Sequence, residues 1–115
     1  MKGSILLIED NEQNRYLVTF LLERHGYQVV AAADGPRGIE AARTFVPTLI
    51  LLDIQLPSMD GYAVARALRG NDSLRDTPIV AVTSYAMPGD REKALEAGYQ
   101  PPAVEKPRRS RKGAT

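Results

Sequence analysis

Cysteine is absent from the chain, which excludes disulfides, zinc–thiolate sites and thiol catalysis. There is one histidine, His25, so neither a Ser-His-Asp triad nor a multi-histidine metal centre is expected. No apolar run approaches the roughly 20 residues of a membrane span. The N-terminal "MKGSILLIED" meets an acidic pair too soon for a secretory signal. What remains is ordinary for a globular chain: 115 residues, 43% hydrophobic and 25% charged. A single soluble, cytoplasmic domain with one packed core and no membrane contact is the expectation.

The net charge of +1 hides an asymmetry. Residues 1–104 carry 10 Lys/Arg against 13 Asp/Glu, whereas residues 105–115 carry five basic residues and one acid. The tail "KPRRSRKGAT" has no apolar periodicity and reads as disordered. So short a basic run is better explained as a solvated terminus than as a nucleic-acid site, and no nucleic-acid partner is expected. The expected layout is a folded domain over 1–107 and a basic tail over 108–115.

Strand and helix signals alternate along the chain. "SILLIED" reads as a buried strand. The helix "NEQNRYLVTFLLERHGY" follows, with Leu17, Phe20, Leu21 and Arg24 at helical spacing; Arg24, His25 and Gly26 suit its C-terminus. "YQVVAAA" is a second strand, and Asp34 is placed to cap "GPRGIEAARTF", where Ile39, Ala42 and Phe45 share a face. "TLILLD", "GYAVARALRG", "PIVAVTS" and "PGDREKALEAG" continue the alternation, with Val64 and Leu68 on the third helix and Gly98 closing the fourth. "AVEK" is a weak fifth strand. Strands apolar on both faces imply a parallel sheet covered on both sides. Right-handed crossovers then favour a doubly wound α/β fold, with ligands beyond the carboxyl ends of the strands.

That rule selects Glu9 and Asp10 after strand one, Asp53 after strand three, Thr83 and Ser84 at the end of strand four, and Lys106 at the end of strand five. Converging carboxylates repel and raise one another's pKa values unless a cation intervenes. Mg²⁺ favours a few carboxylates together with water and phosphate oxygens. A lysine supplies a point charge for an anion and a threonine a hydroxyl donor. Together these groups suit phosphoryl transfer, with a carboxylate as nucleophile and Asp53 the best candidate. Taken singly, each has a plainer reading: an acidic pair capping a helix, a loop carboxylate before Pro57, a strand threonine, a surface lysine. Four strand ends carrying suitable groups together favour the functional reading.

"ILLIEDN", "LILLDIQLPSMDG", "PIVAVTSYAM", "EKALEAG" and "EKP" resemble, in order and spacing, the signatures of bacterial two-component response-regulator receiver domains. The similarity runs from about Ile5 to Pro107. It implies a flavodoxin-like five-stranded parallel sheet in the order 2-1-3-4-5. It implies that Asp53 accepts a phosphoryl group from a histidine kinase or histidine phosphotransfer protein, and that output passes to a downstream protein target by contact. By the same resemblance Asp10 binds Mg²⁺ directly, Glu9 acts on it through water, and the Gln55 carbonyl is the third protein ligand. Thr83 matches the switch hydroxyl and Lys106 the phosphate-pairing lysine. Pro57 and Gly61 shape the loop, while Gln55 and Tyr85 fall where side chains tune the lifetime of the acyl phosphate.

Two features depart from that pattern. Ala103 stands where an aromatic is usual, and "YQPPA" is one residue longer than expected, with two prolines that cannot donate ladder hydrogen bonds. Tyr99 is the nearest aromatic, so the Thr–aromatic switch is in question, and a degenerate receiver or a phosphate-shuttle module is the alternative reading. "RRSRKGAT" has only Ala114 as an apolar residue and cannot form the usual fifth amphipathic helix. Truncation, a shifted reading frame and a cloning scar would each explain this. The fifth-strand face is then expected to expose apolar surface, favouring a partner or a homodimer.

Two further classes are weaker. A haloacid-dehalogenase-type Mg²⁺ phosphatase needs a second aspartate two positions after the nucleophile, where Gln55 stands, so no enzyme turning over external substrates is expected. A flavin or nucleotide module would want a Gly- or Ser/Thr-rich phosphate loop where "EDNEQN" offers acids. Appending an amphipathic fifth helix should raise the midpoint of thermal unfolding; equal midpoints with and without it would contradict the reading of the C-terminus.

Overall fold

A computed structural model describes residues 3–53, 56, 60–81 and 90–99. The elements are β1 (Gly3–Ile8), α1 (Glu12–Arg24), β2 (Tyr27–Ala32), α2 (Gly35–Thr44), β3 (Leu49–Leu52), α3 (Gly61–Arg69), a 3₁₀ turn (Asp72–Leu74), β4 (Ile79–Ala81) and α4 (Asp90–Ala97). The four strands form one parallel sheet in the order β2-β1-β3-β4. This is the doubly wound α/β arrangement expected from the alternation. The expected fifth strand and the basic tail lie outside the described residues.

Local chemistry explains the helix starts. Asn11, Asp34 and Asp60 each sit in extended backbone before a helix, and their side chains accept from the N–H groups of Asn14, Arg37 and Ala63. Each cap satisfies a donor the helix cannot, worth about 1 kcal/mol. At the other end of α1, Gly26 takes φ 94, and His25 Nδ1 lies 2.8 Å from the Leu21 carbonyl, to which it donates. Glycine there relieves the Cβ clash of a left-handed residue.

The two faces of the sheet are covered unequally. Strand register places Leu6, Ile8, Val30, Ala32, Ile50, Leu52 and Ile79 on one side. There they join Ala42 of α2, Val64, Ala65 and Leu68 of α3, and Ala97 in the main core. Ile39 and Phe45 pack at its margin, as their shared face predicts. On the other side, Ile5 and Leu7 of central β1 are fully buried, but Leu49, Leu51 and Val80 are only half-buried. α1 packs there, over β2 and β1, and contributes no buried residue.

Two close approaches fix how the helices sit. A Cβ at Gly38 of α2 would overlap the Ile8 side chain, so only glycine lets α2 lie this near β1. At the far end of the domain, Arg69 ties three segments together. Its Nε and Nη2 donate to the Gly98 carbonyl at 3.1 and 2.8 Å. Its Nη1 donates to the carbonyls of Leu74 and Thr77 at 2.8 and 2.7 Å. Gly98 itself has φ 113, and a Cβ there would meet Arg69 Cγ at 2.6 Å. This clamp sets the path of the chain into Tyr99, which matters at the site below.

The Gly38 contact yields a direct test. Gly38→Ala should destabilise by about 1–3 kcal/mol, the usual range for overpacking. Ile8→Val in the same chain should recover part of the loss, a non-additivity expected of touching residues. Chemical denaturation of the four proteins measures it; strictly additive effects would refute the contact.

Candidate functional site

The register of β1 and β3 brings the acids together. Ile8 pairs with Leu52, so the residues that follow, Glu9 and Asp53, emerge side by side. The ladder continues one step beyond the strands: Asp53 N–H donates to the Ile8 carbonyl and Glu9 N–H to the Ala32 carbonyl, both at 3.0 Å. Those bonds tie both backbones to the sheet. Ligand oxygens of Glu9, Asp10 and Asp53 all lie within 4.8 Å of one another. Glu9 and Asp53 are only 4% and 5% exposed, while Asp10 faces solvent.

Burial of like charges has an electrostatic consequence. The Glu9 carboxyl is pushed above the ordinary carboxylate range, chiefly by desolvation. The Asn11 N–H, donating to Glu9 Oε2 at 3.0 Å, opposes this, while Asp53 and then Asp10 add to it. A hard divalent cation would neutralise the cluster, and the donor set of three carboxylates, two of them shielded, fits Mg²⁺. Glu9, Asp10 and Asp53 would hold it, as the sequence suggests. Gln55, the expected carbonyl ligand, and Thr83 and Lys106 lie outside the described residues.

Two further residues support the site that sequence reasoning did not assign to it. Arg15 Nη1 donates to the Glu9 carbonyl at 2.9 Å and to that of Asp10 at 3.4 Å, binding the acidic loop to the first turn of α1. An arginine so near a helix N-terminus runs against the macrodipole, and that is the signal that could have flagged it. Tyr99 reaches the pocket from the opposite direction. It is buried, packs edge-on against Tyr62 at 6.2 Å, and its hydroxyl donates to the Asp53 carbonyl at 3.4 Å. The aromatic before the two prolines therefore touches the candidate nucleophile's own backbone.

Carboxylates of this kind, at the carboxyl ends of adjacent parallel strands, place the molecule in a definite class. The description of the response regulator receiver domain matches residues 5–112, and the chain belongs to that family. Among its relatives, it is 41% identical over 100 residues to the polar-differentiation response regulator DivK of Brucella anthropi, covering 87% of this chain and 81% of that one. The receiver domain of the sensor histidine kinase PA1611 from Pseudomonas aeruginosa superposes with a TM-score of 0.78 at 38% identity, covering 86% and 81% of the two chains. That domain was solved with a magnesium ion coordinated in its active-site cleft. The Vibrio cholerae chemotaxis protein CheY4 gives a TM-score of 0.82 at 26% identity, over 86% and 82%. The chain is thus a two-component receiver domain, and no helix among the described residues is long and apolar enough to cross a membrane.

The raised Glu9 pKa predicts a pH dependence. Any stability Glu9 provides is fully present below its unfolded-state value of about 4.3 and is lost as pH rises through its higher folded-state value. Glu9→Gln should therefore raise the thermal midpoint at pH 7–8 in chelator, and the gain should shrink toward pH 4. A gain independent of pH, or a loss at neutral pH, would contradict the burial account.

Proposed function

We propose that this chain accepts a phosphoryl group on Asp53 from a histidine kinase or histidine phosphotransfer protein and signals by contact with a protein target. The supporting observation is the convergence of Glu9, Asp10 and Asp53 on one shielded edge of a receiver-family sheet. In the transfer, an Asp53 Oδ forms a bond to phosphorus as the phosphorus–nitrogen bond of the donor phosphohistidine breaks; the electron pair leaves on the imidazole. The rigid backbone of Asp53, held by the Ile8 and Tyr99 bonds, positions that oxygen. A bound Mg²⁺ would offset the charge gathering on the phosphoryl oxygens. Asp10 and Glu9 are the residues to hold it, with Gln55 as carbonyl donor. Thr83 and Lys106 take the switch and phosphate-pairing roles by their match to the family motifs.

This reading makes the protein a cytoplasmic signalling phosphoprotein rather than an enzyme acting on an external substrate. A phosphate shuttle is the second reading, favoured by Ala103 where a switching aromatic is usual. The test is incubation with acetyl phosphate and Mg²⁺ followed by intact mass measurement. The wild type should gain one phosphoryl group and Asp53→Asn none, whereas an adduct on both or on neither would refute the assignment.

A further inference from the structure

Asp53 carries its carboxylate between two peptide units, and each unit is bonded to a different part of the fold. Its N–H donates to the Ile8 carbonyl at 3.0 Å, which ties the unit before it to β1. Its carbonyl accepts from the Tyr99 hydroxyl at 3.4 Å, which ties the unit after it to the segment leaving α4. Peptide units are planar, so holding both of them sets the direction of the Asp53 Cα–Cβ bond. The acceptor side chain starts from that bond.

Tyr99 is itself firmly placed. It is 2% exposed and lies edge-on to Tyr62 of α3, with 6.2 Å between ring centroids. The residue before it, Gly98, takes φ 113, and its carbonyl accepts from Arg69 Nε and Nη2 at 3.1 and 2.8 Å. A phenylalanine would fill the same space, so packing alone does not call for the hydroxyl. A phenol buried this deeply needs a polar partner, and the Asp53 carbonyl is within its reach. At 3.4 Å the bond is long for O–H···O. Bonds of this kind commonly tighten as the reacting groups assemble, which gives them more weight in the reaction than in the fold.

We propose that Tyr99 is a positioning residue for phosphoryl transfer: its hydroxyl, acting through the Asp53 carbonyl, aims the acceptor carboxylate at the incoming phosphorus. The proposal rests on the reading of Asp53 as the acceptor. Acting through the backbone, Tyr99 need touch neither the phosphoryl group nor a cation. Removing the hydroxyl while keeping the ring should slow phosphorylation by about 2- to 10-fold, the equivalent of one neutral hydrogen bond.

Two readouts on Tyr99→Phe test this, with Ile5→Val as a control that loses core packing at the far end of β1. The chain contains a single Asp–Ile pair, Asp53–Ile54. Labelling with [1-¹³C]aspartate and [¹⁵N]isoleucine therefore gives one carbonyl–amide correlation in the nuclear magnetic resonance spectrum. In Tyr99→Phe the Asp53 carbonyl resonance should move upfield, and in Ile5→Val it should stay. Intact mass measured over time, at fixed excess of Mg²⁺ and acetyl phosphate, gives the second readout. Tyr99→Phe should gain its phosphoryl group more slowly, and Ile5→Val at the wild-type rate. Circular dichroism confirms that both variants are folded. An unmoved carbonyl resonance in Tyr99→Phe would refute the bond. A rate equal to wild type, or slowed no more than in Ile5→Val, would refute the positioning role alone. A wild type that gains no phosphoryl group would instead overturn the reading of Asp53, and this proposal with it.

Discussion

Glu9 and Asp53 cannot move apart, because each is the next residue after a central strand whose hydrogen-bond ladder extends onto it. The parallel register of β1 with β3 thus forces two carboxylates together, largely out of water, with Asp10 beside them. Left alone, such a cluster opposes folding, since desolvation and mutual repulsion both act on Glu9. The hydrophobic strands beneath make the arrangement tolerable: Ile5, Leu6, Leu7, Ile8, Ile50 and Leu52 are all fully buried. Each such side chain contributes about 1.5–3 kcal/mol on burial, and it is their sum that offsets the unfavourably placed carboxylates.

Around that pair the chain builds supports that carry no chemistry themselves. Arg15 fastens the acidic loop to α1 through two backbone carbonyls, and Tyr99 touches the Asp53 carbonyl from below. Tyr99 is delivered there by the end of α4, where Gly98 takes positive φ and its carbonyl is gripped by Arg69. A path of direct contacts therefore links the end of α3 to the acceptor backbone. Rigid placement of the nucleophile and convergence of charge come from the same scaffold.

Much of this is legible in the residues. The alternation of strands and helices, the cap at Asp34, the core positions Ala42, Val64 and Leu68, and the strand-end acids follow from period, turn chemistry and the strand-end rule. The orientation of α1 does not. Its apolar residues at 16, 17, 20 and 21 outweigh Val18 and Leu22, so periodicity identifies a helix but points its apolar face outward. Only the packing over β2 and β1 shows which side meets the sheet. The Arg69 clamp also escapes a pattern-based reading, because its partners are backbone carbonyls, that of Gly98 among them from a separate segment, and the 3₁₀ turn at Asp72–Leu74 is too short to show a period. Tyr99 escapes for a related reason: its position before two prolines says nothing of where its hydroxyl ends.

The central claim is that the three strand-end carboxylates form one cation site. Titration of the protein with Mn²⁺, followed by electron paramagnetic resonance of the free ion, measures it without reference to phosphorylation. The account predicts one bound ion per chain, displaced competitively by Mg²⁺, with binding markedly weakened by Asp10→Asn and by Asp53→Asn in proteins that remain folded. Binding that neither substitution weakens would contradict it.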